Sequence, residues 1–234
     1  PPQRVLAVTF TNKAARELRE RVTVLIGPDG ADSVTMGTFH SLCLAMLRQD
    51  IEKLPEHLPY RRGFAVYDEY SALKLITKLK TRAEGGARSG ASEKTAEQKK
   101  KEELSAGAVQ SIISAAKNDA YDAASFRTEP PAKLHRSIGP SQLALVSKVF
   151  EMYEATLRLE NVIDFDDMLL LTTTLLTTSE PTRMKYASHW RHIAVDEFQD
   201  TNSVQYQLLS LLGRDHKNVF VVGDADQAIY GWRG

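Results

Sequence analysis

Residues 192–197 read His-Ile-Ala-Val-Asp-Glu, HIAVDE, and the fold turns on how they are read. Four mostly apolar residues end abruptly in two carboxylates, as a short buried strand leaving the core would. Val219 to Val222 (VFVV) repeats the design and runs into Gly223-Asp224. Between them, Ser203 to Leu212 carries apolar residues at helical spacing. Strand, helix and strand in succession predict two parallel strands joined by a crossover helix. Ligands of such sheets bind at the carboxyl ends of the strands, where both acidic turns fall.

The same pattern opens the chain. Val5 to Phe10 (VLAVTF) predicts a buried strand, and Asn12 to Ile26 a helix bearing Ala14, Ala15, Leu18 and Val22 on one face. Gly27-Pro28-Asp29-Gly30 predicts a turn. Val34 to Gly37 predicts a second strand. Thr38 to Arg48 predicts a helix that buries Phe39, Leu42, Cys43 and Met46. From about Asp50 to about residue 160 no strand is expected. Tyr67 to Leu79, Leu104 to Asn118 and Leu143 to Glu160 predict helices, and Asp164 to Leu176 a further apolar one with acids in its first turn. Arg82 to Glu103 is rich in Gly, Ser, Glu and Lys, and eight of the eleven residues Glu93 to Glu103 are charged. It predicts a solvated insertion, as a mobile loop or a frayed helix. The expectation is an α/β parallel-sheet domain split by a helical insertion.

Composition sets limits. With 30 Lys+Arg against 30 Asp+Glu over 234 residues, a uniformly basic nucleic-acid coat is excluded, though a local basic groove is not. No apolar run reaches the roughly 20 residues of a membrane helix, and no signal-peptide pattern opens the chain. Cys43 stands alone, so no intrachain disulfide forms.

Three clusters carry chemistry. Asp196 at a strand end can hold the waters of a Mg2+ ion, and Glu197 can orient or deprotonate an attacking water. Gln227, in Val221-Val222-Gly223-Asp224-Ala225-Asp226-Gln227, can sense a γ-phosphate or position a water; a Gly/Asp-rich turn capping the next helix is the alternative. Phe10 and Phe39 lie beside Thr at the ends of the first two strands, and Tyr230, Trp232 and Arg233 follow the last turn. Such aromatics stack bases of a single strand, or, for Phe10 and Phe39, fill the core. A Walker A loop, G-x-x-x-x-G-K-[ST], is absent; Gly85 to Ser92 (GGARSGAS) has Ala91 at the Lys position. His189 and His192 suggest a surface pair, Cys43 a small core residue, and Asp164, Asp166 and Asp167 a helix cap.

Taken together, the motifs resemble those of the UvrD/PcrA/Rep family of superfamily 1 DNA helicases. Val8 to Ala15 (VTFTNKAA) resembles motif Ia, and Gly37 to Ser41 (GTFHS) motif Ib. Asp164 to Leu169 (DFDDML) is similar to the family's D-F-D-D-L segment. Val195 to Asn202 (VDEFQDTN) resembles motif II, and Val222 to Gly234 (VGDADQAIYGWRG) motif III. The resemblance implies a RecA-like P-loop NTPase domain, 1A, here incomplete, interrupted by an all-helical domain, 1B. The implied domains are 1–48 and 162–234 for 1A, and 49–161 for 1B, with the charged insertion at 82–103. It implies ATP and Mg as cofactors. Asp196 would coordinate Mg through water, Glu197 activate the hydrolytic water, and Gln227 contact the γ-phosphate. Phe10, Thr11, Asn12, Phe39, His40, Tyr230, Trp232 and Arg233 would line the single-stranded DNA track. Ala225 and Ala228 stand where many relatives carry Asp and Ser, which predicts tuning of activity.

The activity so implied is ATP-driven 3′-to-5′ translocation and duplex unwinding in repair or replication. Partners would be single-stranded DNA, single/double-strand junctions and, through 1B, repair or replication proteins. The setting would be the cytoplasm or nucleoid of a bacterium, or the nucleus or an organelle of a eukaryote. The chain lacks an initiator Met and ends at Trp232-Arg233-Gly234, so it reads as an internal piece of a longer protein, silent as an ATPase by itself. Two other readings stand beside this one: an ATPase-dead module that binds single-stranded DNA or a partner, and the helicase subunit of a RecB/AddA-like helicase–nuclease.

Overall fold

A computed structural model describes residues 1–85, 104–224 and 226. Its first strand, β1 (Val5–Thr9), leads into α1 (Asn12–Ser33), then β2 (Thr35–Thr38) and α2 (Phe39–Asp50). After these come a two-residue strand β3 (Ala65–Val66), α3 (Glu69–Gly85), α4 (Ala106–Asn118), α5 (Ala123–Thr128), α6 (Ala132–Ser137) and α7 (Pro140–Glu160). The chain returns through β4 (Val162–Ile163), α8 (Phe165–Thr178), α9 (Glu180–His189), β5 (His192–Val195), α10 (Ser203–Gly213) and β6 (Val219–Val221).

Two compact units result. One comprises Pro1–Gly63 with the described residues from Asp167 on, and the other Phe64–Asp166. The first piece of the sheet unit thus runs on to Gly63, past the Arg48 boundary expected from sequence. After α2, Ile51–Lys53 make a 3-10 turn whose Ile51 is fully buried.

The sheet of the first unit has the order β2-β1-β5-β6, with every neighbouring pair parallel. Its register sets Val8 beside Gly37 on one side and beside Val195 on the other. All four strands therefore end on one edge. The chain leaves β1 for β2 on one side and β5 for β6 on the other, so β1 and β5 flank a topological switch point, where α/β sheets open a crevice.

Local chemistry explains the helices. Thr11 caps α1, its Oγ1 accepting from the Ala14 amide at 3.1 Å. Thr38 and Ser41 form a reciprocal capping box at the start of α2. The turn expected at Gly27 is a break within α1: Gly27 takes φ +77° and Pro28 follows, with helix resuming as far as Ser33. Cys43 is fully buried on α2. Burial pushes its thiol up to about 12, against a weaker opposing pull from the Thr172 hydroxyl, so it is an inert core residue. The two histidines expected at the surface are both exposed, His189 at the end of α9 and His192 at the start of β5.

One ion cluster ties α2 to α9. Asp50 Oδ2 accepts from Lys185 Nζ and Tyr186 Oη, each at 2.6 Å, and Oδ1 faces Lys53 Nζ at 2.7 Å. Burial alone would push this carboxyl up. The hydrogen bonds from Lys185, Lys53 and Tyr186 outweigh it and hold the group at about 2, below its ordinary 3.8. A depressed carboxyl stabilises the fold above its unfolded pKa, and that contribution is lost as pH falls from near 3.8 through about 2. Asp50→Asn is expected to cost about 1–2 kcal/mol near neutrality. The gap between wild type and variant in urea denaturation should close as pH falls to about 2; a constant gap would show that the pair does not titrate.

The second unit is built on α3, α4 and α7. Ile76, Val109, Ile113, Val149, Phe150 and Leu157 form its centre, and Phe126 meets Phe150 edge-on, centroids 5.6 Å apart. It is not the all-helical unit that the sequence predicts, because β3 pairs in parallel with β4, Ala65 beside Val162 and Val66 beside Ile163. Arg82 to Gly85 complete α3, so the charged insertion begins inside a helix; residues 86–103 lie outside the described residues. The acids of 164–167 do more than open a helix. Lys117 Nζ, with no side-chain exposure, donates to Asp164 Oδ2 at 2.7 Å, and Tyr153 Oη donates to the same oxygen at 3.0 Å. Asn118 Nδ2 donates to Asp166 Oδ1 at 2.9 Å. Burial, and then the charge of Asp164, push the Asp166 carboxyl up.

Candidate functional site

The strand ends bring the motifs to one edge. Asp196 follows β5, and its amide donates to Val8 O of β1 at 3.1 Å, which fixes it at the switch point. Its Oδ1 accepts from the Glu197 amide at 3.0 Å. Glu197 sits in the left-handed region, φ +53° and ψ +40°, a conformation that costs an L-residue about 1–2 kcal/mol. Both carboxylates are exposed.

Beyond Glu197 the chain makes a 3-10 turn, Phe198–Asp200, laced to the end of β6. Phe198 N donates to Val222 O at 2.9 Å, and Val222 N donates to Val195 O at 2.9 Å. Gln199 joins the two acidic turns. Its Nε2 donates to Glu197 Oε2 at 2.6 Å, and its Oε1 accepts from the Asp224 amide at 3.0 Å. Asp224 Oδ1 in turn accepts from the Asp226 amide at 3.0 Å. Among the described residues, Asp200 Oδ1 and Thr201 Oγ1 are buried without a hydrogen-bond partner. Asn202 then caps α10 in a reciprocal box with Gln205.

Across the switch point lie Phe10, Thr11 and Asn12. Thr11 and Asn12 are exposed and Phe10 is half-buried. Phe39 corrects an expectation. It is 1% exposed, so it offers no face to a base; it backs Phe10 edge-on, centroids 5.5 Å apart. His40, in the first turn of α2, is half-buried, and burial lowers its pKa to about 4. The imidazole is therefore neutral near pH 7 and can meet a nucleic acid by hydrogen bond or stacking, not as a cation. Gln227, Tyr230, Trp232 and Arg233 lie outside the described residues, as do Ala225 and Ala228.

Among the described residues no cluster of three or more His, Cys, Asp or Glu is built to cage a metal. Two exposed carboxylates at a strand end suit Mg2+ instead, which keeps several waters and takes one or two carboxylates along with substrate phosphates. A cavity of about 490 Å³ opens elsewhere, under β1 and β2 against α2 and α9, with Leu6, Val8, Leu42, Tyr186 and Trp190 in its walls. It holds neither acid of the strand edge.

The whole chain, residues 1–234, matches the family model described as UvrD/REP helicase N-terminal domain. The chain belongs to the UvrD/REP helicase family. Among UvrD/REP relatives it is 35% identical over 233 residues to the ATP-dependent DNA helicase PcrA of Bacillus subtilis. It is 33% identical to the PcrA of Leuconostoc citreum over 233 residues, and 34% to that of Staphylococcus aureus strain Mu50 over 236. Each alignment covers 100% of this chain and 28% of the relative, so the chain spans a little over a quarter of the length of these helicases.

Family membership accounts for the mixed α/β fold and its parallel sheet. The residue that sequence reasoning passed over is Gln199. It was quoted within VDEFQDTN without a role, because only the folded turn brings it between Glu197 and Asp224. No helix among the described residues is long and apolar enough to cross a membrane.

Proposed function

We propose that the chain is the RecA-like first domain of an ATP-dependent DNA helicase, with Phe64–Asp166 as its 1B insertion. One observation supports this most: a single sheet edge carries Asp196-Glu197, the bridged end of β6, and Phe10-Thr11-Asn12, in a UvrD/REP family member. A nucleotide site and a DNA track on one edge can be coupled by small shifts of the turns between them.

In this reading Asp196 holds a hydrated Mg2+, which supplies neutralisation of phosphate charge when bound. Glu197 accepts the proton of, or orients, the water that attacks the γ-phosphate of ATP. Gln227 contacts the γ-phosphate. Thr11, Asn12 and His40 offer hydrogen bonds to a single strand, with Phe10, Tyr230, Trp232 and Arg233 stacking on or contacting its bases and Phe39 supporting Phe10 from the core. The full-length protein moves 3′ to 5′ along single-stranded DNA, opens junctions in repair or replication, and works in the cytoplasm at the nucleoid. The 234 residues themselves contain no G-x-x-x-x-G-K-[ST], so the isolated chain hydrolyses no ATP.

The test is ATP turnover by the full-length protein with and without single-stranded DNA. Stimulation by DNA is the expected result; its absence would remove the helicase reading in favour of a binding module. The track makes its own prediction. Phe10→Ala should weaken single-stranded DNA binding by about 1–3 kcal/mol, as loss of one stacked base does, and leave the melting temperature nearly unchanged. Phe39→Ala should instead destabilise the fold by about 3–5 kcal/mol. Fluorescence anisotropy and thermal melting separate the two, and equal behaviour of the pair would reject the division of labour.

A further inference from the structure

Gln199 touches both acidic turns at the sheet edge, and its chemistry fits both neighbours. The Glu197 carboxylate can only accept a hydrogen bond, and the Asp224 amide can only donate one. A primary amide offers a donor and an acceptor at the end of one arm. The two bonds, 2.6 Å to Glu197 and 3.0 Å from Asp224, fix which end of the amide faces which partner. A Glu at this position would repel Glu197, and a Lys would have nothing to accept with.

Gly223 points the same way. Its φ lies outside the left-handed region, which among the described glycines is occupied by Gly27 and Gly63. It is therefore not needed there for a turn that other residues cannot make. A Cβ at 223 would lie 2.6 Å from Gln199 Oε1, 3.1 Å from Gln199 N and 3.2 Å from Phe198 N. The glycine makes room for the bridge. Glu197 meanwhile keeps its left-handed backbone through the Asp196 carboxylate on its amide and the Asp200 amide on its carbonyl, so its side chain starts from a fixed base.

We propose that Gln199 is a positioning residue for hydrolysis. It ties the Glu197 carboxylate to the backbone of Asp224, so that a shift of the segment after β6 moves the group that handles the attacking water. The proposal rests on the reading of Glu197 given above. It acts through Glu197 and needs no contact of Gln199 with ATP.

The test is steady-state ATP turnover by the full-length protein at saturating single-stranded DNA, with melting temperatures alongside. Gln199→Met keeps the length and loses both bonds. Gln199→Glu keeps the acceptor for Asp224 and loses the donor to Glu197. Gly223→Ala pushes on the amide from the other side. Each is expected to lower kcat about tenfold or more, the scale of a misplaced catalytic group, with KM for ATP within about twofold of wild type. The Gln199→Met/Gly223→Ala double variant should lose no more than the worse single one, because both act on one bridge. Wild-type kcat in Gln199→Met, a loss confined to KM, or single losses that multiply in the double variant would each overturn the proposal. Glu197→Gln is the control: if it cuts turnover and Gln199→Met does not, only the bridge fails. If Glu197→Gln leaves turnover intact, the reading of the site fails first and the bridge with it.

Discussion

Replacing Glu197 by Gln in the full-length protein is expected to lower DNA-stimulated ATP turnover by about 10²–10⁴-fold, the range that general acid–base groups contribute. Glutamine matches glutamate in size and keeps an oxygen that can accept from Gln199, so the turn and its left-handed backbone persist. It cannot take a proton from water. ATP affinity should therefore survive while turnover collapses, the signature of a group needed in the transition state and not for ground-state binding. Nucleotide binding by fluorescence, set beside phosphate release, reads the two separately. Turnover within a few-fold of wild type would move the catalytic role away from this strand end.

The second large effect concerns the insertion unit. Lys117→Met should destabilise it by about 3–5 kcal/mol, the cost of removing one partner of a buried pair. Methionine fills much of the space of the lysine stem but leaves the Asp164 carboxylate, itself 7% exposed, without its ammonium. Lys117 Nζ also lies 5.3 Å from the Tyr153 ring centroid, so the ring loses a cation as well. The Asp166 carboxyl is already pushed up by burial and by Asp164, and hence offers no relief. Adding Asp164→Asn to Lys117→Met should recover part of the loss, because the stranded charge goes with it. Denaturation followed by circular dichroism measures both. A single variant as stable as wild type would show that the pair contributes nothing.

The sheet was legible because its strands are short apolar runs that end in polar turns, as in HIAVDE and VFVV. Burial accounts for β1, whose Leu6 to Thr9 are buried, but not for β6, whose three residues are exposed. β3 and β4 were not legible: two residues carry no periodicity, and Ala65-Val66 resembles any loop. α9 was passed over for another reason. Glu180–His189 has few apolar residues, and beside the Asp50 cluster it is held by Arg183, buried and bonded through Nε and Nη2 to Glu180 and through Nη1 to Asp215 beyond α10. An arginine with distant partners looks in sequence like any surface charge. Within the candidate site, the place of Asp196, Glu197, Thr11 and Asn12 at the strand ends could be read from sequence. The burial of Phe39 could not be separated from exposure, since an aromatic beside threonines fits both. The neutrality of His40 and the bridge of Gln199 depend on neighbours that only folding supplies.

The short β3–β4 ladder bears on how such a protein is assembled and altered. Paired parallel strands lie about 4.8 Å apart, so the outgoing and returning chains are clipped together at the base of the insertion, Ala65 beside Val162. Two residues of ladder close the stretch of chain between them, from Tyr67 to Asn161, into a loop. Loop-closure cost rises only slowly with the length enclosed. Insertions and deletions within that stretch therefore cost little in closure entropy, and the β3–β4 pairing holds its two ends in register whatever its length.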